Sequence, residues 1–196
     1  SGNVTFGAAK TGLLRTGGNV TTSNDNITFT RAVTLAGGNV ALDTTGASAG
    51  NILFSSTVAT GGNNLTLDAG TAGNITLAGA LTGGGALVVT DGNIQAYGIL
   101  TVGSLTISDA TTSIVLAGAI TSGAAINLDS GGSIALNAAI ANATTVDIDA
   151  TGVTTIGTNG DINASGNVTF GAAKTGTLTT GGNVTTSNDN ITFTRA

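Results

Sequence analysis

Residues 61–83 read GGNNLTLDAGTAGNITLAGALTG, and three short apolar stretches stand out from a background of Gly, Asn, Asp, Ala and Thr. They are Leu65/Leu67, Ile75/Leu77 and Leu81. In the first two, apolar and polar residues alternate, so an extended backbone turns one face inward and the other out. The Gly-Gly-Asn at 61–63 is turn chemistry: Gly takes positive φ without steric cost, and Asn tolerates it while bonding its own backbone. The segment therefore predicts three short strands separated by corners.

Outward from this unit, the same three positions recur along the chain as columns. One runs Val20, Val40, Leu65, Leu87, Leu105, Ile126, Val146, Val168, Val184. A second is Ile27, Ile52, Ile75, Ile94, Ile114, Ile134, and a third is Val33, Val58, Leu81, Leu100, Ile120, Ile140, Ile162. Three strands per rung of about 20 residues, each stacked on its counterpart one rung away, make a parallel β-helix. The handedness rule for parallel crossovers predicts a right-handed coil. Phe29 and Phe54 fall in matching slots and are expected to stack inside it. Stacked Asn at the corners is expected to form amide ladders, and the absence of Pro suits a ladder that needs every N–H.

Residues 1–32 return as residues 165–196, with changes only at Leu13/Thr177 and Arg15/Thr179. The offset is 164 residues, the same span as the eight steps of the first column from Val20 to Val184. The chain is thus expected to be one continuous solenoid, residues 1–196, cut from a tandem array of eight-rung repeats. Each repeat would advance about 38 Å at the strand spacing of about 4.8 Å. Neighbouring copies of the repeat, end to end, are the first partners expected, because they cap the open ends of the coil.

Composition excludes more than it assigns. Charged residues are 8% of the chain, where about 25% is usual. There are ten Asp, no Glu, and five scattered cations, giving a net charge of −5. Such a chain has no basic patch to neutralise phosphates, so no nucleic-acid partner is expected. Without Cys, neither disulfides nor thiolate metal sites can form. No run of about 18 apolar residues is present, and six aromatic rings are too few for the girdles of a transmembrane barrel, so membrane insertion by this segment is not expected.

Chemistry is most concentrated in the aspartates. Asp43, Asp68, Asp91, Asp109, Asp129 and Asp149 each follow a first-column strand, and a stack of carboxylates at strand spacing repels itself unless it is solvated, protonated or bridged by a cation. Turn formation is the first reading of this column. A divalent-cation ladder, with Ca²⁺ as the fitting ion, is the second, although the Ca²⁺-binding nonapeptide GGxGxDxUx is absent. Asp129, Asp147 and Asp149 are placed to meet on adjacent rungs, as in polysaccharide-cleaving β-helices. No Lys or Arg lies between Arg31 and Lys174, and there is no His or Cys. The aspartates thus lack a cationic partner nearby in sequence, and no enzymatic activity is expected. Asn-x-Thr sequons such as Asn19-Val-Thr21 and Asn74-Ile-Thr76 follow from the corner-and-strand pattern itself. The outward columns are too irregular for an ice-binding Thr array, while outward Leu53, Val88 and Val115 read first as scattered surface aliphatics and second as lateral contacts between fibres.

The segments GGNVALDTTGASAGNILF (37–54), residues 61–83 quoted above, and GSLTISDATTSIVLAGAIT (103–121) resemble the repetitive stalks of filamentous-haemagglutinin-like surface proteins of Gram-negative bacteria. That resemblance covers the whole chain in style. It implies a right-handed parallel β-helix, export to the cell surface or beyond it, and a role in adhesion or aggregation. The expected function is a rigid, extendable rod. The alternative is an adhesin stalk whose exposed faces bind carbohydrate or protein.

Overall fold

The computed structural model describes residues 2–7, 12–46, 48–110, 113–171, 174 and 176–194; the side chains of Asp109 and Ala110 also lie outside the described set. The described residues form 27 strands in three nine-stranded parallel sheets, and each strand pairs with the strand three places further along the chain. The chain therefore winds as a three-sided prism, a parallel β-helix. Its sides are called here the first, second and third sheets, starting with Val4–Phe6, Leu14–Thr16 and Val20–Thr21 respectively.

The columns of the sequence are the registers of these sheets. Ile27, Ile52, Ile75, Ile94, Ile114 and Ile134 pair in succession in the first sheet. Val33, Val58, Leu81, Leu100, Ile120, Ile140 and Ile162 do so in the second. Val40, Leu65, Leu87, Leu105, Ile126, Val146 and Val168 do so in the third. Their side chains fill one continuous core. Phe6, Phe29 and Phe54 stack within it at 4.7 Å between successive ring centroids, the spacing of the strands that carry them.

Corners are fixed by two devices. In front of the first-sheet strands, Asn51 Nδ2 donates to Asn26 Oδ1 at 3.2 Å, Asn74 Nδ2 to Asn51 Oδ1 at 3.1 Å, and Asn93 Nδ2 to Asn74 Oδ1 at 3.4 Å. This is the amide ladder expected from the sequence, and each Oδ1 of Asn26 and Asn51 also accepts the next backbone N–H. Between the first and second sheets, Gly79, Gly98 and Gly118 stack so closely that a Cβ on each would run into the backbone of the residue beneath, Ser56, Gly79 and Gly98 in turn. Only glycine lets the rungs approach there.

The two ends correct the expected column. Val168 is followed in the third sheet by Ile191, not Val184, and Val184 pairs instead with Ile162 in the second sheet. Val20 pairs with Leu42, two residues beyond the expected Val40, an even shift that keeps both on the inner face. Among the described residues the 16-residue step from Val168 to Val184 contains one intervening strand, Leu178–Thr180, and it leads from the third sheet through the first to the second, two sides of the prism rather than three.

The repeat is therefore 23 strands long, from Val4–Phe6 to Val168–Phe170, or seven and two-thirds turns instead of eight. Val4–Phe6 lies in the first sheet and its copy Val168–Phe170 in the third; Ile27–Phe29 lies in the first and its copy Ile191–Phe193 in the third. Local geometry is nevertheless reproduced. Asn24 and its copy Asn188 share positive φ, 68° and 67°. Thr22 Oγ1 donates to Asp25 O and Thr186 Oγ1 to Asp189 O, at 2.6 and 2.7 Å. Thr30 Oγ1 donates to Phe6 O and Thr194 Oγ1 to Phe170 O, at 3.1 and 3.0 Å.

Candidate functional site

The aspartate column divides in two. Asp43, Asp68 and Asp91 are successive partners in the third sheet, and Asp129 pairs with Asp149 further along it. A register shift between Ile107 and Ala110 separates the groups, and the side chain of Asp109 falls outside the described residues. In the first group each carboxylate is engaged by its own corner. Asp43 Oδ1 accepts from Thr45 N and Oγ1 at 2.8 and 2.6 Å, Asp68 Oδ1 from Gly70 N at 3.0 Å, and Asp91 Oδ1 from Gly92 N at 2.8 Å. Thr90 Oγ1 links rungs by donating to Asp68 Oδ2 at 2.9 Å. The bonds from Thr45 N to Asp43 and from Gly70 N to Asp68, each two residues on, are Asx-type turn contacts. A groove of about 300 Å³ beside them, lined by Thr45, Gly46, Ala49, Gly70, Thr71 and Asp91 among others, contributes one carboxylate and short side chains. Among the described residues no group of three or more carboxylates is placed to hold a metal ion.

The second group has a partner that spacing along the chain did not reveal. Lys174 lies between Gly171, whose N–H donates to Ile148 O, and Gly176, whose N–H donates to Ala150 O. From there its Nζ forms an ion pair with Asp129 Oδ1. These aspartates have no cation near them in sequence, 45 residues separating the pair, but the winding of the coil brings Lys174 to Asp129. Lys10, the copy of Lys174 in the first repeat, lies outside the described residues.

Asp149, 6% exposed, and Asp147 occupy alternate positions of Val146–Ala150, beside Asp129 on the neighbouring strand. Burial, then the charges of Asp149 and Asp129, push the Asp147 carboxyl above its ordinary range; the Ile148 N–H opposes the shift in part. Asp147 Oδ1 is buried with no hydrogen-bond donor among the described residues. The cluster is an acidic patch, one member of which, Asp129, is paired with Lys174.

The other candidate surface is the last rung: Leu178–Thr180, Val184–Thr186 and Ile191–Phe193. Phe29 is 1% exposed, whereas its copy Phe193 is 54% exposed; Ile27 and its copy Ile191 are 0% and 39% exposed. The sequence around each pair is the same, and the difference is the rung Val33–Phe54 that covers the first copy. Covering the part of Ile191 and Phe193 still in water is worth about 1 kcal/mol each, a fraction of the ~1.5–3 kcal/mol for burying such a side chain completely. The outward aliphatics Leu53, Val88 and Val115 are partly buried; the apolar side chains most open to solvent include Leu13, Tyr97, Ile99 and Phe193 instead.

Comparison with protein-family models, with curated proteins and with solved structures finds no match to this chain.

Proposed function

We propose that this chain is a non-enzymatic structural segment of an extracellular or cell-surface fibre, a rigid rod whose length is set by the number of repeats and which serves adhesion, cell–cell contact or matrix formation. The observation that carries this reading is the return of the first rung's hydrogen bonds, positive-φ Asn and Phe stack in the last rung, 164 residues on. A surface that repeats itself along its own axis is built to be extended. Backbone hydrogen bonds run along that axis, so each added rung contributes a similar increment of stability and stiffness. The resemblance to filamentous-haemagglutinin-like stalks supports placement at the surface of a Gram-negative cell.

Electron microscopy of the native material, with a power spectrum along the particle axis, tests the proposal. Layer lines near 4.8 Å with an axial repeat of about 37 Å, the length of seven and two-thirds turns, are expected. Compact, isolated particles without that repeat would overturn it.

A further inference from the structure

We propose that the open face of the last rung is the docking surface for the rung that follows it in the next repeat, a segment with the sequence of residues 33–54, and that each repeat is thereby set one-third of a turn around the axis from the one before. The proposal rests on the reading of the chain as a window of a tandem array.

The structure itself contains the occupant of this surface. Leu14–Thr16, Val20–Thr21 and Ile27–Phe29 are covered by Val33–Leu35, Val40–Asp43 and Ile52–Phe54. Leu178–Thr180, Val184–Thr186 and Ile191–Phe193 are the copies of those first three strands, with one strand residue changed, Arg15 to Thr179, and that one on the outer face. Equal surfaces take equal partners. The following rung would thus set its Val33 on Leu178, its Leu42 on Val184 and its Ile52 on Ile191. Its Phe54 would continue the stack begun by Phe170 and Phe193, whose centroids are 5.1 Å apart. The N–H of Ile27 donates to Asn51 O at 2.9 Å, and the N–H of Ile191 would find the same carbonyl in the incoming rung.

The rotation follows from the strand count. Ile52–Phe54 lies in the first sheet of this repeat, but its copy would extend the third sheet, because Ile191–Phe193 is there. Any feature of the surface, such as the Asp129/Asp147/Asp149 patch with Lys174, would then move to another face at each repeat. It would return to its starting face after three repeats, or 23 turns, which is about 110 Å of rod. A partner that binds one such patch would meet its sites on a spiral around the rod, never in a line along one face of adjacent repeats.

The test uses a two-repeat chain, made by joining a second copy of residues 33–196 after Ala196. The parent has no cysteine, so spin labels can be placed in pairs on introduced cysteines. A label at Thr192 and one at the appended Leu53 should show strong dipolar broadening, as neighbours on one sheet. A label at Thr179 and one at the appended Leu53 should not, since they would lie on different sheets. The reverse pattern would overturn the one-third turn while leaving the rod intact. Absence of broadening in both pairs, with circular dichroism showing both repeats folded, would overturn the docking surface and the rod reading with it.

Discussion

Phe6 and Phe170 hold the same place in the repeated sequence and stand on different sides of the prism, Phe6 against Phe29 in the first sheet and Phe170 against Phe193 in the third. Each stacks nearly parallel on its partner, with interplanar angles of 13° and 5°. A side chain in this fold is specified by the rung beneath it and the rung above it, and is indifferent to which face it occupies. That separation between local contacts and global orientation shapes how the protein should respond to change.

Phe29 and Phe193 are a matched pair for testing it. Phe29→Ala should destabilise the chain by about 3–5 kcal/mol, the usual cost of emptying a buried phenylalanine site. Phe193→Ala should cost about 1 kcal/mol or less, because over half of that ring is already in water. Denaturant unfolding of the two variants measures both; equal costs would contradict the role assigned to the covering rung.

Ile114 lies fully buried between Ile94 and Ile134. Ile114→Asp should cost about 3–5 kcal/mol, since a carboxylate there has no partner and no water. Thr101→Asp, on an exposed outward position beside Thr121 of the next strand, should cost about 1 kcal/mol or less. Thermal melts followed by circular dichroism should separate the two by about 5–15 °C or by outright loss of the fold.

Gly98 has no room above Gly79. Gly98→Ala should push rungs apart at that corner and cost about 1–3 kcal/mol, the range for overpacking. Gly123→Ala is the control: its Cβ would meet nothing closer than Gly103 O at 3.9 Å. Its stability should change little, as measured by the shift in denaturation midpoint.

Asp147 should make the fold less stable as acid gives way to neutral pH. Its folded-state proton is held more tightly than in the unfolded chain, where the ordinary value is 3.8. Below that value both states are protonated and nothing is lost. As pH rises past it, the unfolded chain releases its proton first, and stability falls until Asp147 ionises in the fold as well. Asp147→Asn should therefore be more stable than the parent at neutral pH, with the difference vanishing in acid. A pH series of denaturation midpoints tests this, and a variant less stable than the parent at neutral pH would contradict it.

Much of this architecture was legible before any coordinates. Strand positions, inward faces and the Phe29/Phe54 stack follow from apolar periodicity, because a parallel coil sets each inward residue over its counterpart and so writes its core into the sequence as columns. The first-sheet column was harder to follow beyond Ile134, where Thr154 takes the inward slot at 0% exposure. A buried threonine carries no apolar signal. The ion pair of Lys174 with Asp129 was hidden for another reason: its partners meet by climbing two rungs, and no spacing along the chain marks that distance.

The sequence by itself determined that the chain folds as stacked three-strand rungs and that its last 32 residues carry the same local contacts as its first. Both depend on neighbouring residues and on neighbouring rungs. Only the tertiary structure decided that the repeat closes after 23 strands instead of 24, and therefore that successive copies face different ways. The number of strands in a turn is settled when the coil closes and each strand finds the one it must pair with. A step of 16 residues and a step of 23 look alike as returns to valine or isoleucine, but one travels two sides of the prism and the other all three.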